Sequence, residues 1–190
     1  MQRNNSKSVP PNERSLTPVQ LHGVLVRVLG TGVLLIGESG IGKSECALDL
    51  VAKGHSLVAD DIVNAAKGEG DRLVGSAPEL TFGLLEIRGL GVIDVRQAFG
   101  YDAVCDSHTI DLCVELRFDA DVERIGDVLA EHDIADRTVP KFLLPVTPGR
   151  NLATIVETAA RIYSSRGTAH DAGRSLIEKQ RALIASARLV

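Results

Sequence analysis

The chain has 190 residues, a formal net charge of −4 and 44% hydrophobic residues, which suits one domain with a core of its own and argues against a basic, phosphate-tracking nucleic-acid surface. Its apolar stretches, such as Val33 to Ile36, fall far short of the roughly 20 residues a membrane-spanning helix needs, and no charged-then-apolar leader opens it, so a cytoplasmic protein with no membrane partner is expected. Cys46, Cys105 and Cys113 form no C-x-x-C pair, which indicates neither a zinc site nor a disulfide scaffold; they are expected to be reduced, buried, small hydrophobes.

Residues 1–20 are rich in Asn, Ser, Pro, Arg and Lys with almost no apolar periodicity, too little to offset the entropy of ordering them. They are expected to be a flexible tail, and residues 21–190 the folded domain. Leu21 to Leu29 is β-branched and aliphatic, Gly30-Thr31-Gly32 turns the chain, and Val33 to Ile36 predicts a short strand. Gly37-Glu38-Ser39-Gly40-Ile41-Gly42-Lys43-Ser44 then fits G-x-x-x-x-G-K-[ST] at every fixed position. Glycines allow such a loop to turn its backbone N–H groups inward around phosphates. Lys43 is the point charge for the β- and γ-phosphates, Ser44 the hydroxyl for Mg²⁺, and the following helix directs its N-terminal dipole at the anion. A nucleoside triphosphate site is therefore expected at Gly37, Glu38, Ser39, Gly40, Ile41, Gly42, Lys43 and Ser44.

Cys46, Ala47, Leu50 and Val51 share one face of that helix, and Gly54 stands where a glycine ends it. Ser56 to Ala59 reads as a strand ending in Asp60-Asp61. Further strands are predicted at Leu84 to Arg88, Val92 to Val95 and Thr109 to Leu116, where Ile110, Leu112, Val114 and Leu116 alternate with polar neighbours, so that one face is expected to be buried. Val122, Ile125, Val128 and Leu129 predict a helix within Asp121 to Glu131, followed by a strand at Pro140 to Val146 and a loop at Pro148-Gly149-Arg150-Asn151. Leu152, Ile155, Val156, Ala159, Ala160 and Tyr163 predict an amphipathic helix capped by Asn151, and a last helix is expected over about Ala172 to Ala187.

A phosphate loop specifies nucleotide binding and leaves the reaction open. In an open α/β sheet, ligands gather at the carboxyl ends of strands, where Asp60 and Asp61 stand. One carboxylate can hold Mg²⁺ directly or through water, and the other can accept a proton from an attacking hydroxyl. Glu86 and Arg88 project from one side of an apolar strand; either they face a site or they pair with each other at an edge. His55, His108, His132 and His170 are expected to be structural or exposed.

Five stretches taken together, His22 to Val26, Gly37 to Glu45, Gly54 to Asp61, Leu85 to Val95 and Leu144 to Leu152, resemble the catalytic domain of bacterial HPr kinase/phosphorylase, in that order and at compatible spacing from about His22 to Ala160. The family's separate N-terminal domain has no counterpart in the polar tail. The resemblance implies an α/β, P-loop-containing catalytic domain with a central mixed β-sheet flanked by helices. It implies use of ATP and Mg²⁺ to phosphorylate a serine of HPr, the small phosphocarrier of the sugar phosphotransferase system, or of a paralogue. The same site would run phosphorolysis, in which phosphate attacks phosphoserine and pyrophosphate leaves. It further implies that His22 and Lys43 are catalytic, Asp61 is the base and acid for the seryl oxygen, and Ser44 and Glu86 hold Mg²⁺. Arg150 falls in the loop tied to phosphorolysis, Arg124 matches a further catalytic arginine, and the assembly is a hexamer. Thr147 stands where some members carry a basic residue and Cys105 where an arginine is frequent, which implies slower phosphorolysis relative to kinase activity. A GTPase would carry N-K-x-D, which is absent, and Glu131 to Pro140 is short for the lid of a small-molecule kinase. The alternatives are a nucleotide-binding regulatory module with impaired catalysis, or a small-molecule P-loop kinase.

Overall fold

A computed structural model of the chain describes residues 18–118 and 129–165. Central apolar runs build the main sheet. β2 (Val24–Val28) and β3 (Thr31–Gly37) form an antiparallel hairpin in which Val24, Leu25, Val26, Val33, Leu34 and Leu35 are all fully buried, as strands covered on both faces must be. Around them lie β4 (Ser56–Ala59), β10 (Leu112–Phe118), β11 (Leu129–Ile134) and β12 (Arg137–Val146), in the order β11-β12-β10-β3-β2-β4. β3, β10 and β12 run parallel, while β2 is antiparallel to both β3 and β4. The sheet is therefore mixed, and β3, β4, β10 and β12 end at one edge.

One face of this sheet is covered by α1 (Lys43–Ala52) and α3 (Leu152–Ser164), whose Leu50, Val51, Val156 and Ala160 pack on Val26, Val33, Leu35 and Val114. Asn151 caps α3 by accepting from Thr154 N at 2.9 Å, as the sequence predicts. The other face meets a second, antiparallel sheet that the periodicity does not predict. It consists of β1 (Val19–His22), β5 (Ile62–Lys67), β6 (Leu73–Ser76) and β9 (Ser107–Thr109), and it seals a core of Leu25, Leu34, Val58, Val63 and Cys113 between the sheets. A third, two-stranded element pairs β7 (Leu84–Ile87) with β8 (Gly91–Asp94), which leads into the short helix α2 (Val95–Phe99).

Several boundaries differ from the sequence reading. The tail was expected to run through Gln20, but Val19 and Gln20 belong to β1 and pair with Ala65 and Asn64. The expected single strand from Leu21 to Leu29 divides at Gly23 between two sheets, and Thr109 to Leu116 divides between β9 and β10. Leu129 to Glu131, expected to end a helix, pair in β11 with Pro140 to Phe142; the rest of that expected helix, and the one over Ala172 to Ala187, lie outside the described residues. Cys113 lies on the side of β10 expected to be polar, yet it is fully buried because the second sheet covers it.

Burial pushes the thiols of Cys46 and Cys113 up to about 12, whereas Cys105 is only partly buried and donates its S–H to Ser107 O at 3.2 Å. Cys105 thus departs from the expectation of three buried cysteines. Since the thiolate is the reactive form, maleimide treatment of the native protein should label Cys105 and spare Cys46 and Cys113, as read by peptide mass mapping. Rapid labelling of Cys113 would contradict the packing of the two sheets.

Candidate active site at the phosphate loop

β3 delivers the chain to the loop, and α1 begins at Lys43. The Gly37 φ is 145°, and a Cβ there would lie 2.5 Å from the Leu116 carbonyl oxygen on β10, so only glycine fits where the strand turns into the loop. Lys43 is buried, and its ammonium donates to the carbonyls of Gly37 at 2.9 Å and Glu38 at 3.0 Å. Its charge is thereby held over the loop rather than left to a flexible stem.

Asp60 is set at the end of β4 and is buried. Its Oδ1 accepts from Ser44 Oγ at 2.8 Å and its Oδ2 from Glu86 N at 3.0 Å. Burial raises its pKa above the ordinary carboxylate value, against the lowering effect of those hydrogen bonds. Asp61 follows in a different setting. Its φ is +63°, and Ile62 N donates to Asp60 O at 2.7 Å across it, a strained γ-turn that a non-glycine residue rarely occupies. The Asp61 carbonyl accepts from Gly23 N at 3.0 Å, and its side chain meets His22 Nδ1 at 3.2 Å. Both side chains are open to solvent, at 71% for Asp61 and 57% for His22.

These groups share a cavity of about 260 Å³ in which the loop faces His22, Asp60 and Asp61 on one side and Glu86 and Arg88 on the other. Glu86 and Arg88 thus face the site, and no ion pair joins them among the described residues. Glu45, in the first turn of α1, also lines the cavity; its place directly after the motif was the only sequence signal for it. Arg150 does not line it. It is exposed in the loop after β12, donates to Pro145 O at 3.3 Å, and is separated from β3 by β10. Thr147 and Cys105 also lie outside the cavity lining, and Arg124 is outside the described residues.

Among the described residues no three His, Cys, Asp or Glu side chains gather into a metal cluster. The oxygen set of Ser44, Asp60 and Glu86 nonetheless suits Mg²⁺, which is held by one or two carboxylates together with phosphates and water rather than by a full protein cage. With both its oxygens engaged, Asp60 is fitted to orient Ser44 or a metal-bound water.

The family model described as the HPr Serine kinase C-terminal domain matches residues 14–180. The chain belongs to this family. An HPr kinase/phosphorylase of Clostridium tetani is 48% identical over 155 residues, 80% of this chain and 50% of that protein. One from Geobacter sulfurreducens is 47% identical over 171 residues, 88% of this chain and 53% of that protein. The chain thus spans about half the length of the curated relatives it matches. The solved Hpr(Ser) kinase/phosphatase from Coxiella burnetii is similar with a TM-score of 0.74 at 34% identity, covering 83% of this chain and 98% of that one.

The buried carboxylate of this HPr serine kinase C-terminal domain should lower its stability near neutrality. A folded-state pKa raised above 3.8 means that stability is present below the unfolded value and lost as pH rises through the folded one. Asp60→Asn should therefore unfold at higher urea than the parent at pH 7, with an advantage that shrinks as pH falls toward 4. An advantage greatest at the acid end would reverse the assignment.

Proposed function

We propose that the chain is an ATP-dependent protein-serine kinase acting on HPr or an HPr-like phosphocarrier, and that the same site runs the reverse phosphorolysis with phosphate in and pyrophosphate out. The observation that carries this reading is the His22–Asp61 pair, 3.2 Å apart and largely exposed beside the phosphate loop. An exposed base suits a hydroxyl presented by a protein surface, because the docked partner itself excludes water.

His22, with its proton on Nδ1, donates to one Asp61 oxygen and leaves the other for the seryl hydroxyl. The hydroxyl proton passes to Asp61 as the bond from the seryl oxygen to the γ-phosphorus forms and the bond from that phosphorus to the departing ADP oxygen breaks. In reverse, a phosphate oxygen attacks the seryl phosphorus, Asp61 returns the proton to the leaving seryl oxygen, and pyrophosphate is formed. Lys43 supplies fixed positive charge to the phosphates in both directions. Ser44 and Glu86 would hold Mg²⁺, with Asp60 behind Ser44, and the ion would supply positive charge toward the phosphates there. Family resemblance supports a hexamer, and supports catalytic roles for Arg124 and, in phosphorolysis, Arg150. No helix among the described residues is long and apolar enough to cross a membrane.

Incubation with labelled ATP and HPr from the same source should yield acid-stable phosphoserine, and phospho-HPr with phosphate should release pyrophosphate. ATP binding with no transfer would favour the regulatory-module reading. Asp61→Asn should cut both directions by about 10²- to 10⁴-fold while ATP affinity changes little. Lys43→Ala should weaken both ATP affinity and transfer, because its charge acts in the ground and transition states alike. Calorimetric titration alongside rate measurement separates the two variants, and normal turnover by Asp61→Asn would remove Asp61 from the mechanism.

A further inference from the structure

The outward face of α1 carries two acids that the mechanism above does not use. Cys46, Ala47, Leu50 and Val51 turn inward to the core, which leaves Glu45 and Asp49 on the opposite side, exposed and about one helical turn apart. Like charges at i and i+4 repel each other and weaken a helix. Neither carboxylate makes a hydrogen bond or ion pair among the described residues. Lys53, the i+4 cation that could pair with Asp49, turns to α3 instead, donating to Thr154 Oγ1 at 2.6 Å and meeting Glu157 Oε2 at 3.7 Å. Lys43 and Arg88 share the cavity with Glu45, and neither pairs with it.

Helix stability accounts for Glu45 alone. An acid in the first turn suits the helix dipole, and Asp49 lies beyond that turn. The start of α1 is also the anion-binding end of the helix, so the Glu45 carboxylate opposes any phosphate there. Asp60 and Asp61, in contrast, already have partners in Ser44, the Glu86 N–H and His22. Acids held in a row against their mutual repulsion, with no cation of the chain beside them, are matched to cations that arrive from outside.

Position says which molecule brings them. Glu45 lines the same cavity as the exposed His22–Asp61 pair. A stable protein interface covers about 800 Å² per partner, far more than the mouth of a cavity of about 260 Å³. A protein that brings a hydroxyl to Asp61 therefore also covers Glu45 and reaches Asp49 on the next turn.

We propose that Glu45 and Asp49 form an acidic ridge that docks the phosphate-accepting protein through lysine or arginine side chains beside its acceptor serine. This rests on the reading of the substrate as a protein. It adds the chemistry by which that protein is chosen, a serine with basic neighbours in preference to one with acidic neighbours. Charges at the rim of an interface act on encounter and are screened by salt. Asp49 lies outside the cavity lining, so its charge acts on docking rather than on the nucleotide.

The test is steady-state phosphorylation of HPr from the same source by the full chain at saturating MgATP, at low and at physiological NaCl. The variants are Asp49→Asn, Asp49→Glu, Glu45→Gln and the double Glu45→Gln, Asp49→Asn. Asp49→Asn should raise KM for HPr about 2- to 5-fold, and the double variant roughly 4- to 25-fold, the range of one and of two exposed ion pairs, while kcat of Asp49→Asn holds. Asp49→Glu keeps the charge and should match the parent. Added NaCl should raise the parent's KM more steeply than that of the double variant. Unmoved KM, an equal response to salt, or a loss confined to kcat would overturn the ridge while leaving the kinase reading in place. A Glu45→Gln variant whose one defect is a raised Mg²⁺ requirement would assign Glu45 to the metal and overturn the ridge as well. A parent chain that transfers no phosphate to HPr would overturn the kinase reading and the ridge together.

Discussion

The Asp60 carboxylate is the junction on which the arrangement of the site depends. Ser44 arrives from the start of α1 and Glu86 from β7, elements far apart in sequence, and Asp60 accepts from both, at 2.8 Å and 3.0 Å. Burying an ionised carboxylate is costly unless its lone pairs are satisfied, and each of these hydrogen bonds goes to a different piece of the pocket. The carboxylate therefore fixes the loop side relative to the Glu86 and Arg88 side. That position is gained at the expense of stability, since burial raises its pKa, as is common where charge is stored for function.

The neighbouring Asp61 is positioned by topology. The chain crosses from the second sheet to the central one at Gly23, between β1 and β2, and crosses back at the γ-turn between β4 and β5. Because β1 pairs with β5, with His22 opposite Ile62, the two crossings lie side by side. The bond from Gly23 N to Asp61 O at 3.0 Å closes the junction and holds the positive φ of Asp61. Two adjacent aspartates thus acquire opposite environments, one buried and doubly hydrogen-bonded, the other exposed and paired with histidine. That difference suits the two carboxylates to separate chemical roles.

Local signals in the sequence were sufficient for the phosphate loop, for α1 with its terminating Gly54, and for α3 with its Asn151 cap, because each is specified by residues within a few positions of one another. The second sheet was not readable in that way. β5 carries Asn64, Ala65 and Ala66 in place of a run of large branched residues, and it is held by pairing with β1 and β6 rather than by its own propensity. The same sheet hides Cys113, so the alternation along β10 resembled a strand with one wet face. Val128 and Leu129 continued a helical spacing, but Leu129 to Glu131 pair with β12, and tertiary context prevailed over periodicity. In the site, Asp61 bears no glycine-like signal for its positive φ, and the choice between facing a site and pairing at an edge for Glu86 and Arg88 could be made only with the loop and β7 placed together.

Strand order also decides which charges line the phosphate-loop cavity. Lys43 is brought to the cavity by the motif itself and Arg88 by β7, whereas Arg150 leaves the same edge of the sheet from β12, with β10 interposed. Exposed charges more than about one Debye length apart, roughly 8 Å at physiological salt, are largely screened from one another, so contact with the cavity matters more than nearness along the edge. Among the described residues, the charged groups that line the loop cavity are Lys43, Arg88, Glu45, Asp60, Asp61 and Glu86. The motif that contains Arg150 shares an edge with the site without sharing its cavity, so nearness at the carboxyl ends of a sheet is a weaker condition than contact, and the order of the intervening strands determines which of the two holds.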